Sequence, residues 1–479
     1  MFIGRKEELS FLEERYQSSR AEFIVLYGRR RIGKTELLIE FCKNKPNVFY
    51  ACNEYTDNKQ LAAFSEALTA FAPSLFKYKR RMDDWEDIFS SFAKIFAPSG
   101  EQKTVIVIDE FPYMCHGNKS IPSVLQNIWD HQLKDANLML ILCGSSMSFM
   151  EDEILAAKNP LYGRTTGIYK MEPMPFSDAV QFFPSYSPED KLMAYAILGG
   201  IPHYLKQFDP HFSLETNIKK QILTKGTVLF GEVEYILHQE LRDPAVYITL
   251  IETIATGSTK FNEICARSQI ESGKASIYLK NLKELGIVTH EFPLLTSAKD
   301  RLKKNQGEYH IADDFFRFWF SYAYRYMSEL AKGDIDDIWE YVIQDNLHDF
   351  SSKAFENVCT DYLRQQKRQG NTPFKFLSIG RWWGKVTHTD TNGKPFTAAE
   401  EIDILATDRD GRRYLVGECK FRNEQIDMAQ YKALQAKLEW NGEFFYYLFS
   451  LSGFTDAVRQ AAAQSDNLRL VTLAEVMAE

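Results

Sequence analysis

The stretch Gly28-Arg29-Arg30-Arg31-Ile32-Gly33-Lys34-Thr35 constrains this chain more than any other. It satisfies G-x-x-x-x-G-K-[ST] at every position and lies between an apolar run, Phe23 to Tyr27, and a helical run, Glu36 to Cys42. A strand, a glycine-rich turn and a helix in that order form a phosphate-binding loop. The glycines let backbone N–H groups turn inward around phosphate oxygens, and the helix that follows points the positive end of its dipole at them. In such a loop Lys34 reaches the β- and γ-phosphates, and Thr35 offers its hydroxyl to Mg²⁺. The bland alternative is a glycine-rich turn with a solvated arginine run. The loop calls for an α/β fold with a parallel sheet.

The strands that follow extend this expectation. Val48 to Cys52 reads as a strand and Asn58 to Phe71 as a helix. Thr104 to Ile108 is wholly apolar after its first residue and ends in Asp109-Glu110, the pattern of a buried parallel strand whose tip faces a site. There Asp109 would hold the Mg²⁺ water shell, and Glu110 would orient and deprotonate an attacking water. Without the loop the same pattern is a strand ending in a solvated turn. Leu138 to Cys143 is another strand, ending in Gly144-Ser145-Ser146. These hydroxyls either sense a γ-phosphate or cap a helix. Arg164, after Asn159-Pro160-Leu161-Tyr162-Gly163, either neutralises charge on the γ-phosphate, in cis or across a subunit boundary, or pairs with a surface carboxylate. Ile168 to Met171 reads as the last strand. From Pro188 the pattern is that of a helical lid, interrupted by Gly199-Gly200-Ile201-Pro202.

A length of 479 residues sets an expectation of about three domains. The net charge of −8 leaves no global basic signature, so any nucleic-acid contact has to come from a local patch. The seven cysteines include no C-x-x-C pair, which argues against a disulfide framework and a zinc ribbon and favours a reducing cytoplasm. Neither a signal region nor a membrane span is legible, so no membrane partner is expected.

Between about Pro244 and Ala312 the order is helix, helix, helix, hairpin, as in a winged helix. The third helix, Ser276 to Leu285, ends at Gly286. Ile287 to Phe292 and Glu308 to Ile311 would be the wing strands, joined by the basic Lys299-Asp300-Arg301-Leu302-Lys303-Lys304. Lys274, Ser276 and Lys280 suit a DNA groove, and a lid or protein contact is the alternative. Asp313 to Met327 is dense in aromatics and reads as a buried connecting helix.

The last third carries a second constellation. Glu401 to Ala406 and Tyr414 to Lys420 alternate about Asp408-Arg409-Asp410-Gly411, a hairpin signal. A turn centred on Asp410-Gly411 sets Asp403 opposite Glu418, and Lys420 shares the face of Glu418. Two facing carboxylates repel, and a divalent cation would remove that cost. The alternative is a surface hairpin with ordinary cross-strand pairing.

Gly4-Arg5 with Glu8-Leu9, the phosphate loop, Asp109-Glu110, Gly144-Ser145-Ser146, Leu161-Tyr162-Gly163-Arg164 and Gly200-Ile201-Pro202, in this order, resemble the archaeal-type (MNS) branch of AAA ATPases, related to origin-recognition and STAND proteins. The resemblance implies ATP as nucleotide, bound by Gly28 through Glu36 with Asp109, Ser145 and Pro202. Asp403 with Glu418-Cys419-Lys420 resembles the D…(D/E)-x-K pattern of restriction-endonuclease-like PD-(D/E)XK nucleases. That resemblance implies Mg²⁺ on Glu356, Asp403 and Glu418 with the Cys419 carbonyl, and Lys420 activating water. It further suggests Gln430 as an accessory residue. Ile402 stands where the pattern favours proline.

The resulting expectation is a P-loop ATPase core over 1–185, a helical lid over 186–240, a winged helix over 241–312, a helical connector over 313–345 and a nuclease-like domain over 346–479. The expected function is an ATP-regulated, metal-dependent, DNA-acting enzyme that could form homo-oligomers. The rivals are a STAND-like signalling switch with an inactive nuclease fold and a winged-helix transcription regulator.

Overall fold

The computed structural model describes residues 2–73, 82–95, 102–301, 307–389, 394–438 and 440–477. The chain divides into two compact units, one of Met1–Met174 with Ile201–His203, the other of Pro175–Gly200 with Tyr204–Glu479.

The first unit opens with helix α1 (Lys6–Tyr16), followed by strand β1 (Glu22–Gly28), helix α2 (Lys34–Cys42) and strands β2 (Asn47–Ala51), β3 (Thr104–Asp109), β4 (Leu138–Gly144) and β5 (Gly167–Met171). Its sheet is parallel throughout, in the order β2-β3-β4-β1-β5. Every residue of β1, β3 and β4 is buried, as their unbroken apolar runs require of strands covered on both faces. Parallel register brings the carboxyl ends of β1, β3 and β4 to one edge, where Tyr27 pairs with Gly144. Ligands of open α/β sheets bind at that edge.

In the second unit, helix α3 (Pro188–Leu198) starts on Ser187, whose hydroxyl accepts the Asp190 N–H at 3.1 Å. Helices α4 (Pro244–Ala255), α5 (Phe261–Ser268) and α6 (Ser272–Glu284) precede an antiparallel hairpin of β6 (Val288–Glu291) and β7 (Glu308–Ile311). Helix α6 begins four residues before the expected Ser276, because Ala275 as well as Leu279 and Leu282 is buried. Leu302 to Lys304 of the basic connection lie outside the described residues.

The aromatic connector is not one helix. An α-helical turn (Asp314–Phe318) passes into a wider π turn (Trp319–Ala323) and then a 3-10 turn (Tyr324–Tyr326). A uniform 3.6-residue period cannot bury near-consecutive rings on one side, whereas a widened turn shifts the phase. Phe315, Phe316, Phe318, Trp319 and Phe320 are all buried as a result.

Helix α7 (Leu347–Gln369) then packs on a mixed sheet ordered β12-β11-β10-β9-β8. Its strands are β8 (Ile379–Thr389), β9 (Pro395–Thr407), β10 (Arg413–Lys420), β11 (Glu443–Ser450) and β12 (Leu468–Thr472), with helix α8 (Met428–Ala436) between β10 and β11. Strands β8, β9 and β10 are antiparallel neighbours, and β11 and β12 run parallel to β10.

Candidate functional site

The glycine-rich loop leaves β1 at Gly28, where an added Cβ would lie 2.7 Å from the Met171 carbonyl oxygen of β5. The loop closes at Gly33, the N-cap of α2, with φ of 91°. A left-handed conformation there strains any side chain, so the second glycine of the motif is dictated by the backbone. Lys34 is buried and donates to the carbonyls of Gly28 at 2.9 Å and Arg29 at 3.0 Å. The Thr35 hydroxyl donates to Asp109 Oδ2 at the tip of β3, 2.7 Å away. Glu110 follows with a positive φ of 52°, and its carboxylate accepts from the Ser145 hydroxyl at 2.9 Å and N–H at 3.2 Å. The structure thus brings together Lys34, Thr35, Asp109, Glu110 and Ser145, from a loop and two strand tips far apart in sequence.

Two flanking segments close on the loop. Arg5 is buried and donates to the carbonyls of Ile32 at 2.9 Å and Glu172 at 2.7 Å while pairing with Glu8. Pro202 lies against Gly33, 3.6 Å from where its Cβ would be, and His203 hydrogen-bonds Arg31. Arg164 is directed elsewhere. Its guanidinium makes a bidentate pair with Asp130 at 2.9–3.1 Å and donates to the Pro160 and Tyr162 carbonyls.

The second site lies on the β9–β10 hairpin. The observed pairs Thr407–Tyr414, Ala406–Leu415, Leu405–Val416 and Ile404–Gly417 keep the expected register, and the ladder stops one pair short of Asp403–Glu418. There Asp403 Oδ2 accepts the Cys419 N–H at 2.8 Å in place of a ladder bond. Burial and the charges of Glu418 and Glu356 push the Asp403 carboxyl up to about 7, against the opposing pull of the Cys419 N–H and Lys420. Burial also disfavours the Glu418 anion, but Lys420 at 2.6 Å and Lys437 at 2.8 Å outweigh it and hold that carboxyl below its ordinary range. Glu356, on α7, pairs with Lys353 at 3.2 Å and Arg381 at 3.7 Å.

Among the described residues no group of three or more His, Cys, Asp or Glu side chains is arranged to hold a metal ion. The expected trio Glu356, Asp403 and Glu418 therefore does not fit Mg²⁺ in this arrangement. Both Glu418 oxygens are taken by lysines, and Glu356 faces two cations. Gln430 is engaged in a helix cap. Its side chain and N–H close a capping box with Asp427 at the start of α8, at 3.0 and 2.9 Å.

Residues 2–208 match a family model described as an ATPase domain predominantly from Archaea. Residues 319–433 match DUF234, archaeal and bacterial proteins of unknown function. An uncharacterised protein of Methanocaldococcus jannaschii, MJECL04, is 33% identical over 423 residues, 88% of each chain. The chain belongs to that protein's family. This chain combines an archaeal-type P-loop ATPase domain with a C-terminal DUF234 domain. An uncharacterised ATP-binding protein of the same archaeon, MJ0423, is 56% identical over 45 residues, 9% of this chain and 76% of its own. The Walker-type ATPase PABY2304 of Pyrococcus abyssi shares the fold with a TM-score of 0.51 at 20% identity, over 67% of this chain and 96% of that one.

In the ATPase domain the resemblance names Gly4-Arg5, but the sequence carries no signal for the Arg5 contact to the loop carbonyl or for His203 on Arg31. In the DUF234 domain, Arg381 carries no signal either, because its position depends on a bulge. The register shift between Gly380 and Trp382 sets Arg381 of β8 opposite two residues of β9, Asp403 and Ile404, so the bulged strand is β9. Lys437 lies beyond the matched residues and is brought in by the C-terminal end of α8. No helix of the described residues is long and apolar enough to cross a membrane.

Proposed function

We propose that this protein binds and hydrolyses ATP at the Gly28–Glu36 loop and acts on DNA through its second unit, with the DUF234 domain serving as a restriction-endonuclease-like nuclease module. The observation that carries the ATP reading is the convergence of Thr35, Asp109, Glu110 and Ser145 at the carboxyl ends of β3 and β4. Thr35 and Asp109 present hard oxygen donors 2.7 Å apart, a fit for Mg²⁺, which would neutralise phosphate charge. Glu110 is the general base for water, parked by two hydrogen bonds from Ser145. Ser145 turning to a γ-phosphate would release it. Pro202 senses the nucleotide from beside Gly33. Arg164, anchored to Asp130, serves the nucleotide of a neighbouring copy.

For the DUF234 domain the support is the mutual repulsion of Asp403 and Glu418 beside Lys420, with α7 supplying Glu356. Helices α4 to α6 and the β6–β7 hairpin act as a winged helix, with the exposed Lys274 and Lys280 of α6 on phosphates. One observation favours a second reading, a STAND-like switch with a catalytically silent rear fold: each acid of that site except Asp403 is already ion-paired internally. A DNA-cleavage screen with Mg²⁺ or Mn²⁺, with and without ATP, separates the two. Cleavage lost in Asp403→Ala and Lys420→Ala supports the nuclease reading. Cleavage that survives both substitutions removes the site, and no cleavage under any condition leaves the switch.

A further inference from the structure

Strand β8 is the outer strand of its sheet, and an open edge is a template for pairing. At Arg381 that edge is taken by the connection leaving β6: the Leu294 N–H donates to the Arg381 carbonyl at 2.8 Å. The ladder to β9 is irregular at this point, where Arg381 faces the two-residue bulge Asp403-Ile404 and belongs to no regular pair. The Leu294 side chain packs against the apolar cluster of the same sheet. The Arg381 guanidinium stacks over Trp383 and reaches three carboxylates, Glu291 of β6 at 3.6 Å, Glu356 of α7 at 3.7 Å, and Glu401 of β9. One residue therefore ties the hairpin to an acid of the rear site.

Solvent-open clefts flank this tie on both sides. A cavity of about 790 Å³ lies between residues 293–297 and the Arg381–Lys385 and Ala399–Glu401 segments. A second, of about 530 Å³, runs from Glu291 and Phe292 past Arg381 to Glu356 and Asp403. An interface meant to be permanent is packed like a protein interior. Here, among the described residues, one backbone hydrogen bond, one leucine and a part-exposed ion-pair hub join the two sides between solvent-open clefts, the make-up of a contact that opens.

We propose that the β6–β7 hairpin is a removable cover on the rear acid–lysine site, latched through Arg381 and Leu294. The proposal rests on the reading of that site as nuclease-like and adds its regulation. In the latched form the hairpin walls the cavity that leads to Asp403, and Arg381 neutralises Glu356. A hairpin drawn away by nucleic acid leaves the β8 edge and frees Arg381 from Glu291, so the cavity opens to a phosphodiester chain.

The test uses the full-length protein and two variants, Leu294→Asp, which unseats the cover, and the milder Glu291→Gln, which weakens the latch should the first fail to fold. Amide hydrogen exchange over residues 292–296, which carry the N–H of the Leu294–Arg381 bond, is read beside Mg²⁺-dependent DNA cleavage. Both are expected to rise by about five-fold or more in a folded variant. Raised exchange with no cleavage by any form supports the cover and removes the nuclease reading. Unchanged exchange in the folded variants overturns the cover. A wild type that cleaves, with variants of raised exchange that cleave no faster, overturns it as an inhibitor.

Discussion

The two candidate sites both collect charge at the ends of strands, and they differ in what neutralises it. In the ATPase domain, Asp109 accepts from the Thr35 hydroxyl, Glu110 accepts from Ser145, and Lys34 donates to carbonyls of its own loop. These partners are neutral and exchange readily for phosphate oxygens or water. In the DUF234 domain the partners are cations: Lys420 and Lys437 on Glu418, Lys353 and Arg381 on Glu356. Ion pairs of part-buried groups are costly to break singly. The front site is held by neutral partners and the rear site by ion pairs.

The largest effect separates the sites outright. Lys34→Ala is expected to lower ATP hydrolysis by about 10²–10³-fold, the scale of removing a preorganised charge donor. A steady-state phosphate-release assay checks this. A wild-type rate in that variant would erase the contrast by emptying the front site of function.

A pH experiment probes the rear site. Asp403 titrates at about 7 in the folded chain, against an ordinary value of 3.8. A carboxyl raised in this way favours the folded state fully below 3.8, and that contribution is lost as pH rises through about 7. Asp403→Asn keeps an oxygen for the Cys419 N–H and carries no charge. Its stability relative to wild type should improve by about 2–4 kcal/mol between pH 4 and pH 8, read by denaturant unfolding at each pH. A constant difference across that range means that Asp403 is not buried against like charge.

Lys437→Ala strips one cation from Glu418 and should destabilise the second unit by about 1–3 kcal/mol, with Lys437→Arg recovering most of it. Equal loss in both variants would show that packing, not charge, holds the residue. The smallest effect belongs to the front: Arg164→Ala breaks a part-exposed pair with Asp130 and should cost under about 1 kcal/mol. Thermal unfolding measures it. A larger loss would make Arg164 a structural strut and withdraw it from the nucleotide of a neighbouring copy.

Much of the front site was legible because its chemistry is local. The motif fixes the loop, and an apolar strand ending in Asp109-Glu110 announces its own site edge. The β9–β10 register was legible for a similar reason: the hairpin turn determines every pair after it, from Asp408–Arg413 to Ile404–Gly417. What stayed hidden depends on long-range placement. Arg381 lies opposite a register shift in which β9, not β8, carries the extra residue at Asp403-Ile404, and nothing in Ile402-Asp403-Ile404-Leu405 announces a bulge. The two tryptophans divide there: Trp382 packs edge-on against Trp440, and Trp383 lies under Arg381. Gln430 was assigned to the site by position, but an N3 glutamine three residues after Asp427 closes a capping box first. Lys437 joins only after α8 has laid its C-terminal end over β10.

The most direct test of the account is nucleotide retention and turnover in full-length Glu110→Gln. The account predicts that hydrolysis falls by about 10²–10⁴-fold while ATP binds as tightly as to wild type, because the loop is intact and only the base is lost. Wild-type turnover in this variant, or loss of ATP binding together with turnover, would contradict it.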